Sequence, residues 1–358
     1  MNKYALILAG GKGTRLWPIS TEKKPKQFLN LYGNEIMINE TIRRIEKIFD
    51  YENIFIIINE QQSDLAYRYI DNRVPRENII IEPEAKNTAM CIFYATLKIK
   101  KIKSDGIITV LSSDHYIEEK DKLQESIITA MEVAMCNENL VTIGITPTYP
   151  ATGFGYIKYA NTKDKDYYSV IEFKEKPKYD KALEYIKSNC YVWNSGMFIW
   201  KIESILKSFK DYLPNIYKFK DKLYTSIGTD KEQKIVKEIY KKIENISIDK
   251  GSLEKANNVK MIRGNFKWMD IGNINDFFEI HEREVNNNII IGNLIIAKET
   301  SNTNILNKSD ELLITIGLEN VNIIKDNKVC IVCNKENIND LPQILEKIKL
   351  EEKYKKYL

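Results

Sequence analysis

The sequence predicts an α/β protein with a mixed, mainly parallel sheet, followed by a small β-rich module. In the first half of the chain, short apolar runs alternate with segments of helical apolar spacing, as in successive βαβ units. Near the C-terminal end, short β-like runs follow one another, and Asn- and Asp-rich turns separate them. We therefore expect two domains, which cover residues 1–285 and 286–358.

The first half supplies the parallel strands and the helices that connect them. Apolar runs predict strands at residues 4–8, 54–58, 79–81, 107–111 and 140–145. Amphipathic helices are predicted where apolar residues recur every three or four positions, at residues 38–49, 90–97 and 123–134. Ligands of such sheets bind beyond the carboxyl ends of the strands, so we expect functional residues in the loops that follow them.

The pattern changes after residue 150. Runs 154–159 and 168–173 predict antiparallel partners around a polar turn, and run 192–200 predicts a further strand. Helices are expected at 201–210, 231–242 and 274–284, and short strands at 289–297, 312–316, 321–324 and 329–333. Cys330 and Cys333 lie in the last run. Since no second cysteine pair accompanies them, a buried strand is favoured over a metal or redox site.

Composition excludes several classes of protein. Among 358 residues, 54 basic and 50 acidic side chains leave a net charge of +4, which is too small and too evenly spread to indicate nucleic acid or an anionic membrane as partner. No run approaches the roughly 18 apolar residues of a transmembrane helix. Five scattered cysteines predict a reduced, cytoplasmic protein.

The first predicted strand leads into a glycine loop. Glycines directly after a parallel strand let backbone N–H groups approach phosphate oxygens. The spacing of Gly10, Gly11 and Gly13 fits neither the Walker A loop nor the dinucleotide fingerprint. The glycines alone therefore do not decide between a structural turn and a phosphate-binding loop. Arg15 and Lys26 add two cations to the same segment and favour phosphate binding.

Seven ordered motifs resemble the sugar-phosphate nucleotidyltransferase family, and within it the mannose-1-phosphate guanylyltransferase branch. They lie at residues 10–20 with Pro25-Lys26-Gln27-Phe28, 82–89, 113–115, 152–157, 173–177, 193–198 and 268–272. The match runs from residue 3 to about residue 340. The sequence departs from the family at Lys86, where arginine is usual, and at Ser112, where proline is usual.

This resemblance implies a fold and a reaction. The fold is a Rossmann-like (GT-A-like) nucleotidyltransferase domain with a C-terminal module that resembles a short left-handed β-helix. The substrates are GTP and α-D-mannose 1-phosphate, the products are GDP-mannose and pyrophosphate, and the cofactor is Mg²⁺. The apolar runs of the module need a partner surface on the catalytic domain or on a second chain, and we expect a homodimer through the module.

Two alternatives to this implied function remain open. A relative could use another nucleoside triphosphate or another sugar 1-phosphate, as a glucose-1-phosphate thymidylyl- or uridylyltransferase does. A non-catalytic binding protein would not need the charged residues of the motifs, and their presence disfavours it.

The resemblance also assigns roles to single residues. Asp114 and Asp270 would bind the metal ion, because paired carboxylates with phosphate oxygens suit Mg²⁺; the alternative for each is a turn or cap. The expected catalytic residues are Arg15, Lys26, Asp114, Lys176 and Asp270. The expected nucleotide-binding residues are Leu8, Ala9, Gly10, Gly11, Gly13, Thr14, Arg15, Lys26, Glu82, Asn87, Thr88, Ala89 and Asp114. The expected sugar-phosphate-binding residues are Gly155, Glu175, Lys176 and Asn194. His115 is expected to support the site residues or the fold and not to act as a general base, since the attacking phosphate is already ionised.

Glu82 is the residue expected to read the base. Guanine presents two adjacent donors, N1–H and N2–H₂, and a carboxylate can accept from both. The alternative is that Glu82 is a solvated loop carboxylate.

Overall fold

The structure, a computed structural model, describes residues 1–11, 13–164, 166–326 and 328–358, without the side chains of residues 14 and 162–164. Lys12 of the glycine loop and the side chain of Thr14 therefore lie outside the described residues. The chain forms two compact units. The first holds Met1–Gly10, Ile38–Ser113 and Ile117–Trp268, and the second holds Gly11–Met37, Asp114–Tyr116 and Met269–Leu358.

The strands include at least one in every predicted run and four that were not predicted, at residues 115–117, 259–264, 268–270 and 304–307. They are β1 (Asn2–Leu8), β2 (Ile54–Asn59), β3 (Ile79–Glu82), β4 (Gly106–Ser112), β5 (His115–Ile117), β6 (Leu140–Ile145), β7 (Tyr156–Asp164), β8 (Tyr167–Lys174), β9 (Tyr191–Lys201), β10 (Val259–Gly264), β11 (Trp268–Asp270), β12 (Ile289–Gly292), β13 (Ile295–Lys298), β14 (Asn304–Asn307), β15 (Leu313–Ile316), β16 (Val321–Asp326) and β17 (Val329–Asn334).

Helices lie between many of the strands along the chain. They are α1 (Met37–Ile45), α2 (Ser63–Tyr69), α3 (Asn87–Ile102), α4 (Lys120–Met135), α5 (Tyr179–Ser188), α6 (Ile202–Tyr212), α7 (Pro214–Tyr217), α8 (Lys220–Ser226), α9 (Glu232–Tyr240), α10 (Ile274–Glu279) and α11 (Leu341–Leu350). A π-helical turn covers Asp249–Leu253. Helix α10 is shorter than predicted and ends at Glu279.

The first unit is built on a nine-stranded mixed sheet with the order β3-β2-β1-β4-β9-β6-β10-β8-β7. Strands β3, β2, β1 and β4 are parallel, as the βαβ pattern predicts, and so are β6 and β10. Strand β9 is antiparallel to both β4 and β6, and β7 is antiparallel to β8. The expectation of a mixed sheet is therefore confirmed, and its parallel part carries the loops expected to be functional. The sheet is not mainly parallel as predicted, because β7, β8 and β9 add antiparallel pairings that outnumber the parallel ones among the described residues.

The apolar residues of this sheet are covered by helices on the same unit. Every residue of β2 from Ile54 to Ile58 is buried, as expected for a parallel strand that is covered on both faces. Helix α3 buries an unbroken run of residues from Ala89 to Leu97. Phe93 of this helix packs against Phe209 of α6, with 4.8 Å between ring centroids.

The second unit contains the short C-terminal strands. β12, β14 and β16 are parallel neighbours, β13 is parallel to β15, and β17 closes the first group antiparallel to β16. Side chains of asparagines stack between successive coils: the Asn304 amide donates to Asn322 Oδ1 at 2.9 Å, and the Asn302 amide donates to Asn320 Oδ1 at 3.2 Å. Two groups of parallel strands therefore repeat along the module.

The prediction of one strand over residues 289–297 is wrong. The run bends between β12 and β13, where Gly292 has φ +108° and Leu294 has φ +56°. A Cβ on Gly292 would lie 2.0 Å from the carbonyl O of Asn307, so this corner requires glycine. Strand β17 forms as predicted, but Cys330 on it is exposed and Cys333 is only half-buried.

The core of the second unit joins the segment after the glycine loop to the C-terminal strands. Leu16, Trp17 and Leu29 share this core with Leu306 and Leu345. The Trp17 indole N–H also donates to the carbonyl O of Tyr357 at 3.1 Å. The segment that carries Lys26 thus depends on the C-terminal residues for its packing. Among the described helices, none has both the length and the apolar composition needed to cross a membrane.

Candidate active site

The glycine loop is folded back on the segment that carries Lys26. Gly13 has φ +64°, and a Cβ on it would lie 2.8 Å from the backbone N of Lys26. The Gln27 amide donates to the carbonyl O of Gly11 at 2.9 Å, and the Ser20 hydroxyl donates to the carbonyl O of Gly13. Glycine is required at position 13 both by the backbone angle and by the close approach of Lys26.

Lys26 lies between two acidic side chains of the second unit. Its Nζ is 2.9 Å from Asp114 Oδ2 and 3.2 Å from Asp270 Oδ1, and it donates to the carbonyl O of Ile271 at 2.8 Å. Only 6% of the Lys26 side chain is exposed. Burial by itself would lower the pKa of this ammonium group, but the two carboxylates outweigh it and hold the pKa above its ordinary value. Lys26 is therefore a fixed cation.

The same two carboxylates and His115 form a cluster that could hold a metal ion. One ligand atom from each of Asp114, His115 and Asp270 lies within 4.8 Å of the others. His115 is buried, and its carbonyl O accepts a hydrogen bond from the Tyr32 hydroxyl at 3.1 Å. Carboxylate oxygens suit a hard cation such as Mg²⁺, whereas imidazole is more typical of transition metals. The donor set therefore fits a divalent cation, and the carboxylates fit Mg²⁺.

Asp276 fixes the loop that carries Asp270, and sequence reasoning missed it. Its Oδ2 accepts hydrogen bonds from the backbone N–H groups of Gly272 and Asn273, both at 3.0 Å, and Asn273 caps helix α10 in return. Burial, helped by repulsion from Asp270, raises the pKa of Asp276 to about 6. The Asn-x-x-Asp spacing before an apolar helix is a capping-box pattern and could have identified it.

Glu82, at the end of β3, is a buried carboxyl in the first unit. Only 4% of the residue is exposed, and its Oε2 accepts a hydrogen bond from the Tyr240 hydroxyl at 3.1 Å. A Cβ on Gly10 would lie 2.5 Å from its Oε1, so glycine at position 10 makes room for the carboxyl. Burial raises the pKa of Glu82 to about 7. The alternative of a solvated loop carboxylate is therefore wrong.

Other expected nucleotide-binding residues of the first unit are already engaged in part. The Ala89 N–H donates to the carbonyl O of Ile246 at 3.2 Å, and the Thr88 hydroxyl accepts from the Ile248 N–H at 2.9 Å. Asn87 has φ +62°, and its side chain accepts from the Thr88 N–H at 2.9 Å. The N-terminal turn of α3 is thus tied to residues 246–248.

Leu8 and Ala9, two further expected nucleotide-binding residues, form backbone hydrogen bonds near the ends of neighbouring strands. The carbonyl O of Leu8 accepts from the Ser113 N–H at 3.0 Å, and the Ala9 N–H donates to the carbonyl O of Ile57 at 2.8 Å. These bonds align the carboxyl ends of β1, β2 and β4 within the first unit. Arg15 is exposed on a short 3₁₀ turn, and it forms no ion pair within the part of the chain that the structure describes.

The expected sugar-binding residues of the first unit lie around Gly155. A Cβ on Gly155 would lie 3.5 Å from Glu175 Oε2 and 3.6 Å from Asn194 Cβ, and the Asn194 N–H donates to the carbonyl O of Gly155 at 2.8 Å. Lys176 is exposed, and its Nζ is 3.6 Å from Glu175 Oε1. The structure thus brings these four residues together, and it adds Asp249, which accepts from the Asn194 amide at 2.6 Å.

A glycine loop folded onto a buried cation that two carboxylates hold is suited to binding phosphates. A chain that has these features in one unit and a mixed α/β sheet in the other is typical of enzymes that act on nucleotide phosphates. The chain belongs to the nucleotidyl transferase family, whose match covers residues 4–287. It is therefore an enzyme that transfers nucleotidyl groups.

Individual relatives match nearly the whole chain. A mannose-1-phosphate guanylyltransferase of Salmonella typhimurium is 34% identical over 98% of this chain and 73% of the relative. A protein of the same name from Escherichia coli K12 is 31% identical over 97% of this chain and 74% of the relative.

Two solved structures resemble the fold. A Thermus thermophilus protein described as a mannose-1-phosphate geranyltransferase superposes with a TM-score of 0.88 at 27% identity, and the match covers 98% of this chain and 100% of that one. A Helicobacter pylori mannose-6-phosphate isomerase superposes with a TM-score of 0.61 at 28% identity, over 75% of this chain and 100% of that one.

Proposed function

We propose that this chain transfers the GMP group of GTP to α-D-mannose 1-phosphate and releases pyrophosphate. The observation that carries the proposal is the buried ammonium group of Lys26, which Asp114 and Asp270 hold beside the glycine loop. A fixed cation next to paired carboxylates is what a triphosphate and its metal ion need. The Salmonella and E. coli relatives, which are named for this activity, support the choice of GTP and mannose 1-phosphate.

In the proposed reaction a phosphate oxygen of mannose 1-phosphate attacks the α-phosphorus of GTP in line. The new bond joins this oxygen to the α-phosphorus, and the bond between the α-phosphorus and the oxygen bridging to the β-phosphate breaks. No general base is required, because the attacking phosphate is already ionised. Catalysis then rests on positioning and on charge stabilisation by Lys26 and Arg15.

Mg²⁺ is the proposed cofactor. Asp114 and Asp270 would hold it through carboxylate oxygens, and the bound ion would neutralise charge on the phosphates. Lys26 contacts both carboxylates and so fixes their positions. In the free protein its positive charge also partly balances the negative charges of the two carboxylates.

The substrate pair is tested by a panel of reactions. The purified protein is incubated with ATP, GTP, CTP, UTP or TTP and with mannose, glucose, galactose or fucose 1-phosphate, and pyrophosphate release is measured. We expect the highest kcat/KM for GTP with mannose 1-phosphate. A preference for TTP or UTP with glucose 1-phosphate would favour the alternative nucleotidyltransferase and reject the proposed substrates.

Lys176 is proposed to bind the phosphate of mannose 1-phosphate, while Lys26 serves GTP. We expect Lys176→Ala to raise KM for mannose 1-phosphate by about tenfold or more, the size of losing one charge-assisted contact, with little change in KM for GTP. Lys178→Ala, a change of a neighbouring exposed lysine, is the matched control and should leave both constants unchanged. If KM for GTP rises most, the two substrates are placed the wrong way round.

Glu82 is proposed to accept the N1–H and N2–H₂ donors of guanine. Glu82→Gln should narrow the preference for GTP over UTP by about 1–3 kcal/mol, because an amide cannot accept from both donors. ITP lacks the N2 amine, so wild type should use it less well than GTP, and the variant should lose this difference. The steady-state ratio of kcat/KM for GTP and ITP measures it.

The same role predicts a pH dependence. Only the ionised carboxylate accepts both donors, and the pKa of Glu82 is about 7 in the free protein. The preference for GTP over ITP should therefore be full above that pH and should weaken as the pH falls through it. In Glu82→Gln the ratio should not depend on pH. A GTP-to-ITP ratio that is the same in both proteins would show that Glu82 does not read the base.

A homodimer through the C-terminal module is also proposed, together with a left-handed winding of its parallel coils. Ile289 is covered within the chain, but five apolar side chains on and beside β13 and β15 are more than half exposed. They are Leu294, Ile296, Leu312, Ile314 and Ile316. We further propose a cytoplasmic location, where the five free cysteines would stay reduced.

Light scattering tests the dimer. We expect a dimeric mass at micromolar protein for wild type and a monomeric mass for Ile314→Glu, because a buried charge without a partner disrupts an apolar interface. Leu350→Glu, which alters an exposed residue outside these strands, should remain dimeric. A monomeric wild type would reject the proposal.

A further inference from the structure

Asp249 opens the π-helical turn of the first unit, in a segment with no recognised motif. It is half-buried, and its Oδ1 accepts a hydrogen bond from Asn194 Nδ2 at 2.6 Å. Among the described residues no basic side chain pairs with it. Its electrostatic neighbours are the acidic Glu175 and Glu254. A carboxylate in such a position retains an oxygen that can accept a further hydrogen bond.

The contact with Asn194 determines how that amide is turned. Asn194 Oδ1 accepts from the Gly196 N–H at 3.1 Å, so the amide nitrogen must face Asp249. Each end of the Asn194 side chain is thus held by a partner of the opposite hydrogen-bonding type. Asn194 and Glu175 both flank the Cα of Gly155. Asp249 therefore belongs to the same group of side chains and fixes the orientation of one of them.

We infer that Asp249 is a specificity-determining residue for the sugar, which orients the Asn194 amide and accepts a hydrogen bond from a sugar hydroxyl with its second carboxylate oxygen. This inference rests on the proposed function. Two carboxylates and one amide around a glycine are suited to a polyhydroxyl ligand, because each carboxylate accepts from hydroxyl groups without needing a proton of its own. Burial raises the pKa of Asp249 to about 6, which leaves the group ionised at the usual assay pH near 7.5.

The test compares Asp249→Asn with a second variant, Asn194→Asp/Asp249→Asn. In Asp249→Asn the new amide can still accept from Asn194, but the outward acceptor becomes a donor. The double variant restores an amide–carboxylate pair with the two groups exchanged, and the outward atom at position 249 is then an amide oxygen that can accept again. We expect the dissociation constant for mannose 1-phosphate, measured by calorimetry, to rise about tenfold in Asp249→Asn, the size of one lost hydrogen bond to a charged group, and to fall back towards wild type in the double variant. KM for GTP and the melting temperature should stay close to wild type.

Glu232→Gln is the matched control, since Glu232 is a similarly enclosed carboxylate of the same unit that binds Tyr94 and Lys98. It should lower the melting temperature without changing the ratio of the two substrate constants. A purely structural role for Asp249 predicts the same pattern for Asp249→Asn, a lower melting temperature with an unchanged ratio of the two substrate constants. That result would overturn the inference, as would a double variant that binds mannose 1-phosphate no better than Asp249→Asn.

Deoxy analogues of mannose 1-phosphate locate the hydroxyl. For the hydroxyl that Asp249 binds, its removal should weaken wild-type binding about tenfold and should not weaken Asp249→Asn further. If every analogue loses the same factor in both proteins, Asp249 contacts no hydroxyl and the inference is wrong. Calorimetry needs no turnover, so weakened sugar binding in a protein that releases no pyrophosphate would reject the proposed function and keep the inference.

Discussion

Replacement of either Asp114 or Asp270 by asparagine is expected to lower kcat by at least about 10²-fold, comparable with the loss of a main electrostatic contact in a transition state. Each change removes a negative charge and one of the two carboxylates proposed to hold Mg²⁺. It also removes one of the two acidic partners of Lys26, whose ammonium group is almost completely buried. The measurement is the rate of pyrophosphate release at saturating GTP, mannose 1-phosphate and Mg²⁺.

The control for this prediction is Asp310→Asn, which removes the same charge from an exposed position of the second unit. It should keep a wild-type kcat. The two active-site variants should need more Mg²⁺ for half-maximal rate, a shift that a merely destabilised protein would not show. Near-normal turnover in both variants at saturating Mg²⁺ would reject the assignment of Asp114 and Asp270 as the metal ligands.

Removal of the C-terminal module after Val285 is expected to abolish activity and the cooperative melting of the second unit. The apolar residues after the glycine loop, among them Leu16, Trp17 and Leu29, lie in one core with the C-terminal strands. Without those strands they would be left in water, and the segment that carries Lys26 would lose its support. We keep 1–285 and 286–358 as proposed domains, with the expectation that residues 1–285 alone are not active.

A milder variant keeps this prediction interpretable if the truncated protein does not fold. Leu306 is 1% exposed in the same core, and Leu306→Ala should lower the free energy of unfolding by about 2–5 kcal/mol. Leu350→Ala, at an 85% exposed leucine, should change it little. Chemical denaturation measures both. A fully active, stable protein that ends at Val285 would show that the module does not support the site.

The sequence patterns predicted the parallel part of the sheet well, because a parallel strand that is buried on both faces has a continuous run of apolar residues in its sequence. The runs at 54–58 and 140–145 correspond closely to Ile54–Asn59 and Leu140–Ile145. Val259–Gly264 was not predicted, since charged residues interrupt a short run. The corner at Gly292 was missed for a different reason: it depends on contact with Asn307, which no local pattern contains.

The candidate site was predictable as a set of residue types but not as an arrangement. Motif resemblance assigned Lys26 to the nucleotide and Asp114 and Asp270 to the metal. The contact between Lys26 and Asp270 spans 244 positions, and its existence follows only from the fold. Asp249 had no signal beyond a single acidic residue after an apolar segment. Its proposed role follows only from the 2.6 Å hydrogen bond with the Asn194 amide.

The central claim, attack of the sugar phosphate on the α-phosphorus of GTP, is tested most directly by an isotope-transfer measurement. Mannose 1-phosphate that carries oxygen-18 in its three non-bridging phosphate oxygens is incubated with GTP, Mg²⁺ and the protein, and both products are analysed by mass spectrometry. We predict that GDP-mannose retains all three labelled oxygens and that pyrophosphate carries none. Labelled pyrophosphate, or the absence of a labelled nucleotide sugar, would contradict the proposed transfer.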